Sequence, residues 1–300
     1  MTLALYGKSR RRQGALLAAA LLAVLIATIG ALSAISPGGA TRGGGNNQGG
    51  GNEACPDKYP VLVDKFDWSG TAYTHSPGDV TGQQVTILQG TATSVWWEST
   101  YPIGAIVVKG GPGAKTILLS PAPAWSGSFN NSGLTNQGGQ TPDISNVKFC
   151  GNLIPTVTKV PAKGDPVDEP GQVIWTVTVT NPSGTGAIDH AVRIKDENVK
   201  VVAGPLYQGV ADCTIPDGSS FEQELNSANG VECKMHAGST ISFQVVLKEE
   251  PKQTCEPQTF RNSASVLLMA YRPVDEKPNG DKTEDWTEDW KVVADRKSVV

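Results

Sequence analysis

Val173-Ile174-Trp175-Thr176-Val177-Thr178-Val179-Thr180 alternates as a strand must when one of its faces is buried and the other is wet. Val173, Trp175, Val177 and Val179 point one way; Thr176, Thr178 and Thr180 point the other. Turn signals stand at both ends, Glu169-Pro170-Gly171 before and Asn181-Pro182-Ser183-Gly184 after, so chain reversals bound the strand. One strand cannot bury that face alone. The same alternation supplies partners: Ile241, Phe243, Val245 and Leu247 back onto Ser242, Gln244 and Lys248, and Phe260, Ala264, Val266 and Leu268 follow in a last strand.

The chain has 300 residues, with 34 Gly and 20 Pro, a mix that favours short strands and many turns over helices. Its length suffices for two domains and an N-terminal extension. The expected class is all-β, with two β-sandwich domains at 55–151 and 152–272. A net charge of −4, with no basic cluster beyond the extreme N-terminus, excludes a nucleic-acid partner.

Lys8, Arg10, Arg11 and Arg12 precede an uncharged run over 14–35 that is rich in Leu and Ala. A basic stretch followed by an apolar one sends the rest of the chain across a membrane. Residues 1–35 are expected to form a hydrophobic helix, either a signal peptide cleaved after the small residues Ala31 and Ser33 or an anchor that stays in the bilayer. The only membrane contact expected is through this helix. Residues 36–54, with Gly43-Gly44-Gly45 and Gly49-Gly50-Gly51, have little to bury and read as a flexible tether.

Export makes disulfides the default for the five cysteines. Cys55 opens the first folded segment and Cys150 closes it; a bridge there would contribute ~4 to 5 kcal/mol in the chain-entropy model. Cys213 and Cys233 flank a polar loop containing Asn229-Gly230 and form the second expected pair, with Cys233–Cys255 as its rival. There is no C-x-x-C, and His75, His190 and His236 stand far apart, so neither a metal nor any other cofactor is expected.

Between Cys55 and Cys150, strand-like runs fall at 61–66, 84–88, 93–97, 103–109, 116–119 and 144–149, separated by Gly, Pro and Asn. Gly113-Ala114-Lys115-Thr116 imitates a phosphate loop but lacks its glycines, and Ser145 with Lys148 matches S-x-x-K without companion motifs. No G-x-S-x-G or H-E-x-x-H occurs, so no catalytic set converges. Trp68, Trp96, Trp97 and Trp125 crowd this segment, and flat aromatic faces can hold sugars. Trp96 and Trp97 must face opposite sides of a strand, so at most one belongs to the core. Trp96, Trp97 and Trp125 are the candidate ligand-binding residues, and cell-wall or extracellular polysaccharide is the candidate ligand. Val107-Val108-Lys109-Gly110-Gly111-Pro112-Gly113-Ala114, followed by Ile144-Ser145-Asn146-Val147-Lys148-Phe149-Cys150, resembles a β-domain of secreted bacterial proteins that implies location without chemistry.

The second segment carries a more specific likeness. Thr156-Val157-Thr158-Lys159, the 171–181 strand, Val192-Arg193-Ile194-Lys195-Asp196 and Asn262-Ser263-Ala264-Ser265-Val266 resemble the repeat domain of bacterial surface proteins. The resemblance covers about 120 residues and implies an immunoglobulin-like sandwich. Trp175 stands where the family has Tyr, and the insert over 205–230 is longer than usual. Parity adds a finer expectation: Lys159 shares a face with Val157, Asp196 with Ile194, and Asn262 with Ala264, so all three polar side chains point inward. Fimbrial relatives of this fold condense an inward Lys and Asn into an isopeptide bond. The resemblance therefore implies that Lys159 attacks the Asn262 amide with Asp196 shuttling the proton. The alternative is a Lys159 that snorkels from a strand end while Asn262 bonds the backbone.

Residues 273–294, with Glu284-Asp285-Trp286 and Glu288-Asp289-Trp290, read as an acidic linker. Asp295-Arg296-Lys297-Ser298-Val299-Val300 matches what a common sequencing adapter encodes, so 295–300 are expected to be an artefact and the chain a fragment. Taken together, the sequence describes an exported, non-catalytic structural or adhesive protein of the cell surface, with polysaccharide or other surface proteins as partners. The competing description is a carbohydrate-binding accessory region of a longer secreted enzyme.

Overall fold

The computed structural model describes residues 53–162, 173–248, 261–273 and 286–299. The hydrophobic run 14–35, the tether over 36–52, Cys255 and the tail over 274–285 lie outside them.

The first half of the fold consists of β1 (Val61–Trp68), β2 (Tyr73–Pro77), β3 (Val85–Gly90), β4 (Ser94–Ile103), β5 (Ala105–Gly110), β6 (Gly113–Leu118), β7 (Ala124–Asn130) and β8 (Ile144–Gly151). One sheet runs β2-β1-β8-β5-β6, and β7-β4-β3 faces it. Val63, Phe66, Trp97, Ile106, Phe129 and Phe149 fill the space between. The Cys55–Cys150 bridge is present and ties the segment before β1 to β8.

The second half comprises β9 (Thr156–Pro161), β10 (Ile174–Thr180), β11 (His190–Asp196), β12 (Val199–Gln208), β13 (Ala211–Thr214), α1 (Phe221–Leu225), β14 (Val231–Met235), β15 (Thr240–Leu247), β16 (Arg261–Pro273) and β17 (Trp286–Val299). The alternating stretch Ile174–Thr180 is β10, beside β15 and β9 in the sheet β12-β15-β10-β9, with Val177 opposite both Phe243 and Lys159. Trp175, Val177 and Val179 are fully buried, as their alternation requires. The facing sheet runs β13-β14-β11-β16, and its inner face contributes Val192, Ile194, Val231, Val266 and Leu268 to the same core. The fold is thus all-β, two sandwiches, with one short helix among the described residues.

The insert over 205–230 holds α1 and β13, and Cys213 pairs with Cys233 across neighbouring strands. It ends at Gly230, where φ is +74° and a Cβ would lie 2.7 Å from the Ile194 carbonyl oxygen, so only glycine fits.

The two sandwiches share a strand pairing: β16 runs parallel to β7 at Tyr271 and Ala124, and the Tyr271 amide donates to the Pro123 carbonyl at 2.9 Å. One sheet therefore continues as β13-β14-β11-β16-β7-β4-β3. The acidic linker is also partly structured. Residues 286–294, and the 295–299 end with them, form β17, antiparallel to β16 from Pro273↔Trp286 to Arg261↔Val299. Two arginines meet it: Arg272 Nε lies 3.4 Å from the Asp289 carboxylate, and the Arg193 guanidinium lies 4.0 Å from the centre of the Trp290 ring.

Candidate functional site

β9 alternates so that Val157 and Lys159 face inward while Thr156 and Thr158 face water. β11 sends Val192, Ile194 and Asp196 into the same core, and β16 sends Asn262, Ala264 and Val266. Lys159, Asp196 and Asn262 are only 1%, 1% and 5% exposed. Asp196 stands opposite Ala264 in the β11–β16 ladder, two residues along the strand from Asn262. The Lys159 ammonium donates to Asp196 Oδ2. Lys159 therefore does not snorkel, because its Nζ is held inside on a carboxylate.

Removing both groups from water narrows the proton's preference for the amine. Burial lowers the Lys159 pKa, against the opposing pull of Asp196. Burial likewise pushes the Asp196 carboxyl up from 3.8 to about 6, partly offset by Lys159. A neutral amine beside a protonated carboxyl is thereby brought within reach. Two polar atoms of the cluster, Asp196 Oδ1 and Asn262 Nδ2, have no hydrogen-bond partner among the described residues. Buried atoms left so are costly, and they collect where chemistry or strain requires them.

The tryptophans divide, and two of the three expected ligand contacts are corrected. Trp97 is fully buried, tilted against Phe149 at 5.3 Å, because β4 turns its side chain toward the facing sheet. Trp125 is also fully buried, but in the core of the second sandwich, and its Nε1 donates to the Asp289 carbonyl at 3.0 Å. Lys291 lies over its ring at 5.4 Å. Neither can meet a sugar. Trp96 alone keeps a partly exposed face, on the outer side of β4 between Gln89 and Ser128.

No protein-family model and no curated protein matches this chain. Among solved structures, the full-length major pilin SpaD of Corynebacterium diphtheriae is similar at 14% identity, with a TM-score of 0.32 over 84% of this chain. The chain spans 64% of that pilin's length. The collagen-binding domain of the Erysipelothrix rhusiopathiae surface protein RspB is similar at 11% identity, with a TM-score of 0.18 over 76% of this chain and 86% of that one.

One buried group escapes sequence reading altogether. Asp64 is fully buried; its Oδ2 accepts the Gln84 and Val85 amides, each at 2.7 Å, and His75 Nε2 meets Oδ1 at 2.7 Å. It ties the start of β3 to β1 and β2. Nothing local in the sequence marks it, since its partners lie 11 to 21 residues away.

Proposed function

We propose that the chain is an exported, non-catalytic protein of the cell surface, a stiff structural or adhesive module whose second sandwich is closed by an amide between Lys159 and Asn262. The observation that carries this reading is the buried Lys159–Asp196 pair on the inner face that Asn262 shares. The step balances within the chain. Neutral Lys159 Nζ adds to Asn262 Cγ, the Nζ–Cγ bond forms, and the Cγ–Nδ2 bond breaks. Nδ2 leaves as ammonia with the proton that Asp196 relays from Nζ. The crosslink would join the first strand of the sandwich to β16, while Cys55–Cys150 joins the segment before β1 to β8. Two cystines fit an oxidising compartment, as the basic and apolar N-terminus does.

Intact mass decides the amide. The expected chain is lighter by one ammonia than its disulfide-bonded sequence, and digestion yields one branched peptide containing both Lys159 and Asn262. A chain at its full calculated mass removes the amide from this picture.

The carbohydrate-binding reading rests on Trp96 alone, the partly exposed indole among amide and hydroxyl neighbours. If it holds, retention on insoluble polysaccharide falls roughly tenfold in Trp96→Ala, the loss of about 1.4 kcal/mol. Equal retention of variant and parent would leave the surface-module reading alone.

A further inference from the structure

A polar cavity of about 360 Å³ opens at the end of the second sandwich where β11 and β15 finish and β16 begins. Its wall includes Glu197 and Asn198 on the β11–β12 turn, Leu247 at the end of β15, and Ser263 and Ser265 on the outer side of β16. Lys195 at the end of β11 and Asn262 complete the wall. Asn262 alone of the buried trio reaches the cavity; Lys159 and Asp196 do not line it. The cavity far exceeds the ~15 Å³ that one water needs, and its lining of hydroxyl, amide and carboxylate groups, with the Lys195 ammonium held 3.3 Å from Glu197, is polar enough for water, ammonia or a small amine. Asn262 itself is otherwise sealed, and its Nδ2 has no hydrogen-bond partner among the described residues.

We propose that this cavity is the port of the Asn262 site: ammonia leaves through it, and a small primary amine can enter through it and take the place of Lys159 on Asn262 Cγ. The proposal rests on the amide reading above and adds a route and a second class of nucleophile to it. A leaving group formed behind a closed wall would be held against the new amide and favour reversal. The exchange balances without any further reagent. The amine nitrogen bonds to Cγ, the Cγ–Nδ2 bond breaks, ammonia departs, and one proton passes from the incoming amine to the leaving nitrogen by way of Asp196.

The test uses the full chain as Lys159→Ala, which keeps Asn262 and Asp196 and removes the internal amine. Incubated with methylamine, the folded variant should gain the mass of one methylene on the peptide containing Asn262, and Lys159→Ala combined with Asn262→Ala should not. Filling the cavity with Ser265→Trp should slow the gain roughly tenfold, a barrier increase of about 1.4 kcal/mol. Newly translated chains with Lys159 intact offer a second measurement, needed if Lys159→Ala does not fold: Ser265→Trp should delay their loss of ammonia by a similar factor. A parent chain that keeps its full mass overturns the amide reading and the port together. A parent chain that is light, with no methylamine adduct in folded Lys159→Ala and no delay in Ser265→Trp, overturns the port and leaves the amide standing.

Discussion

Lys159→Met and Asn262→Ala are each expected to lower the thermal midpoint of the second sandwich by ~15–25 °C, with both variants at their full calculated mass. The size follows from what the amide does to the unfolded chain. A bond between β9 and β16 closes a loop of about a hundred residues, and the chain-entropy model assigns such a closure ~4 to 5 kcal/mol. For a domain of this size, each kcal/mol moves the midpoint by several degrees. Lys159→Met retains most of the side-chain volume, so lost packing is a minor part of its effect. Asn262→Ala keeps the Lys159–Asp196 pair, so any ion-pair contribution survives in it. Agreement between two variants that share only the loss of the amide is therefore the informative result. Differential scanning calorimetry checks it, and variants that melt within a few degrees of the parent would show that no covalent closure was present to lose.

The unbonded Asn262→Ala chain also has a pH signature. The folded pKa of Asp196 lies above its unfolded value, so the stability it contributes is complete below about 3.8 and is lost as pH rises through about 6. Lys159 runs the other way: its folded value is depressed, so stability is recovered only as pH climbs toward 10.5. Urea midpoints of Asn262→Ala should fall across the lower window, while those of Asn262→Ala combined with Asp196→Asn should stay flatter. In the bonded parent Lys159 is an amide and does not titrate, so the rise toward high pH should be missing from it.

Much of this site was legible because a strand has a period of two. Once Val157, Ile194 and Ala264 are taken as inward, Lys159, Asp196 and Asn262 have no other direction to point. The same rule was silent where it mattered for the tryptophans. Alternation says that Trp96 and Trp97 diverge, but only pairing with β3 and β7 shows which of them meets Phe149. β7 itself was hidden because Trp125 follows Ser120-Pro121-Ala122-Pro123 and precedes Gly127, a composition that reads as turn. β17 was hidden by its charges, since Glu288 and Asp289 look like solvent-seeking linker until Arg193 and Arg272 are placed beside that strand by the sheet. In each case the missing information was a partner distant in sequence, which local composition does not encode.

Trp125→Ala is expected to uncouple the two sandwiches. The indole grows from a strand of the first and is buried in the core of the second, and its Nε1–H is spent on the Asp289 carbonyl of β17. Besides it, the junction includes the Tyr271–Ala124 pairing with its 2.9 Å hydrogen bond, Ile154 packed against both cores, and Gly186 set closely against Pro60 and Val61. Truncating a buried Trp to Ala costs ~3–5 kcal/mol. Here that loss falls on the contact between the sandwiches more than on either core, because Phe149 and Trp97 hold the first and Trp175 and Phe243 the second. Contacts between domains of one chain otherwise permit relative motion, so a single seated Trp decides whether the module is stiff or hinged. The parent should melt with coupled sandwiches and scatter X-rays as one rigid particle. Trp125→Ala should show two separated transitions and a larger radius of gyration, with both disulfides intact. Trp125→Phe should recover much of the coupling, since it restores apolar volume without the Nε1–H donor. A Trp125→Ala protein with an unchanged scattering profile and one transition would mean that the remaining contacts of the junction hold the joint, and that the buried indole is only filler.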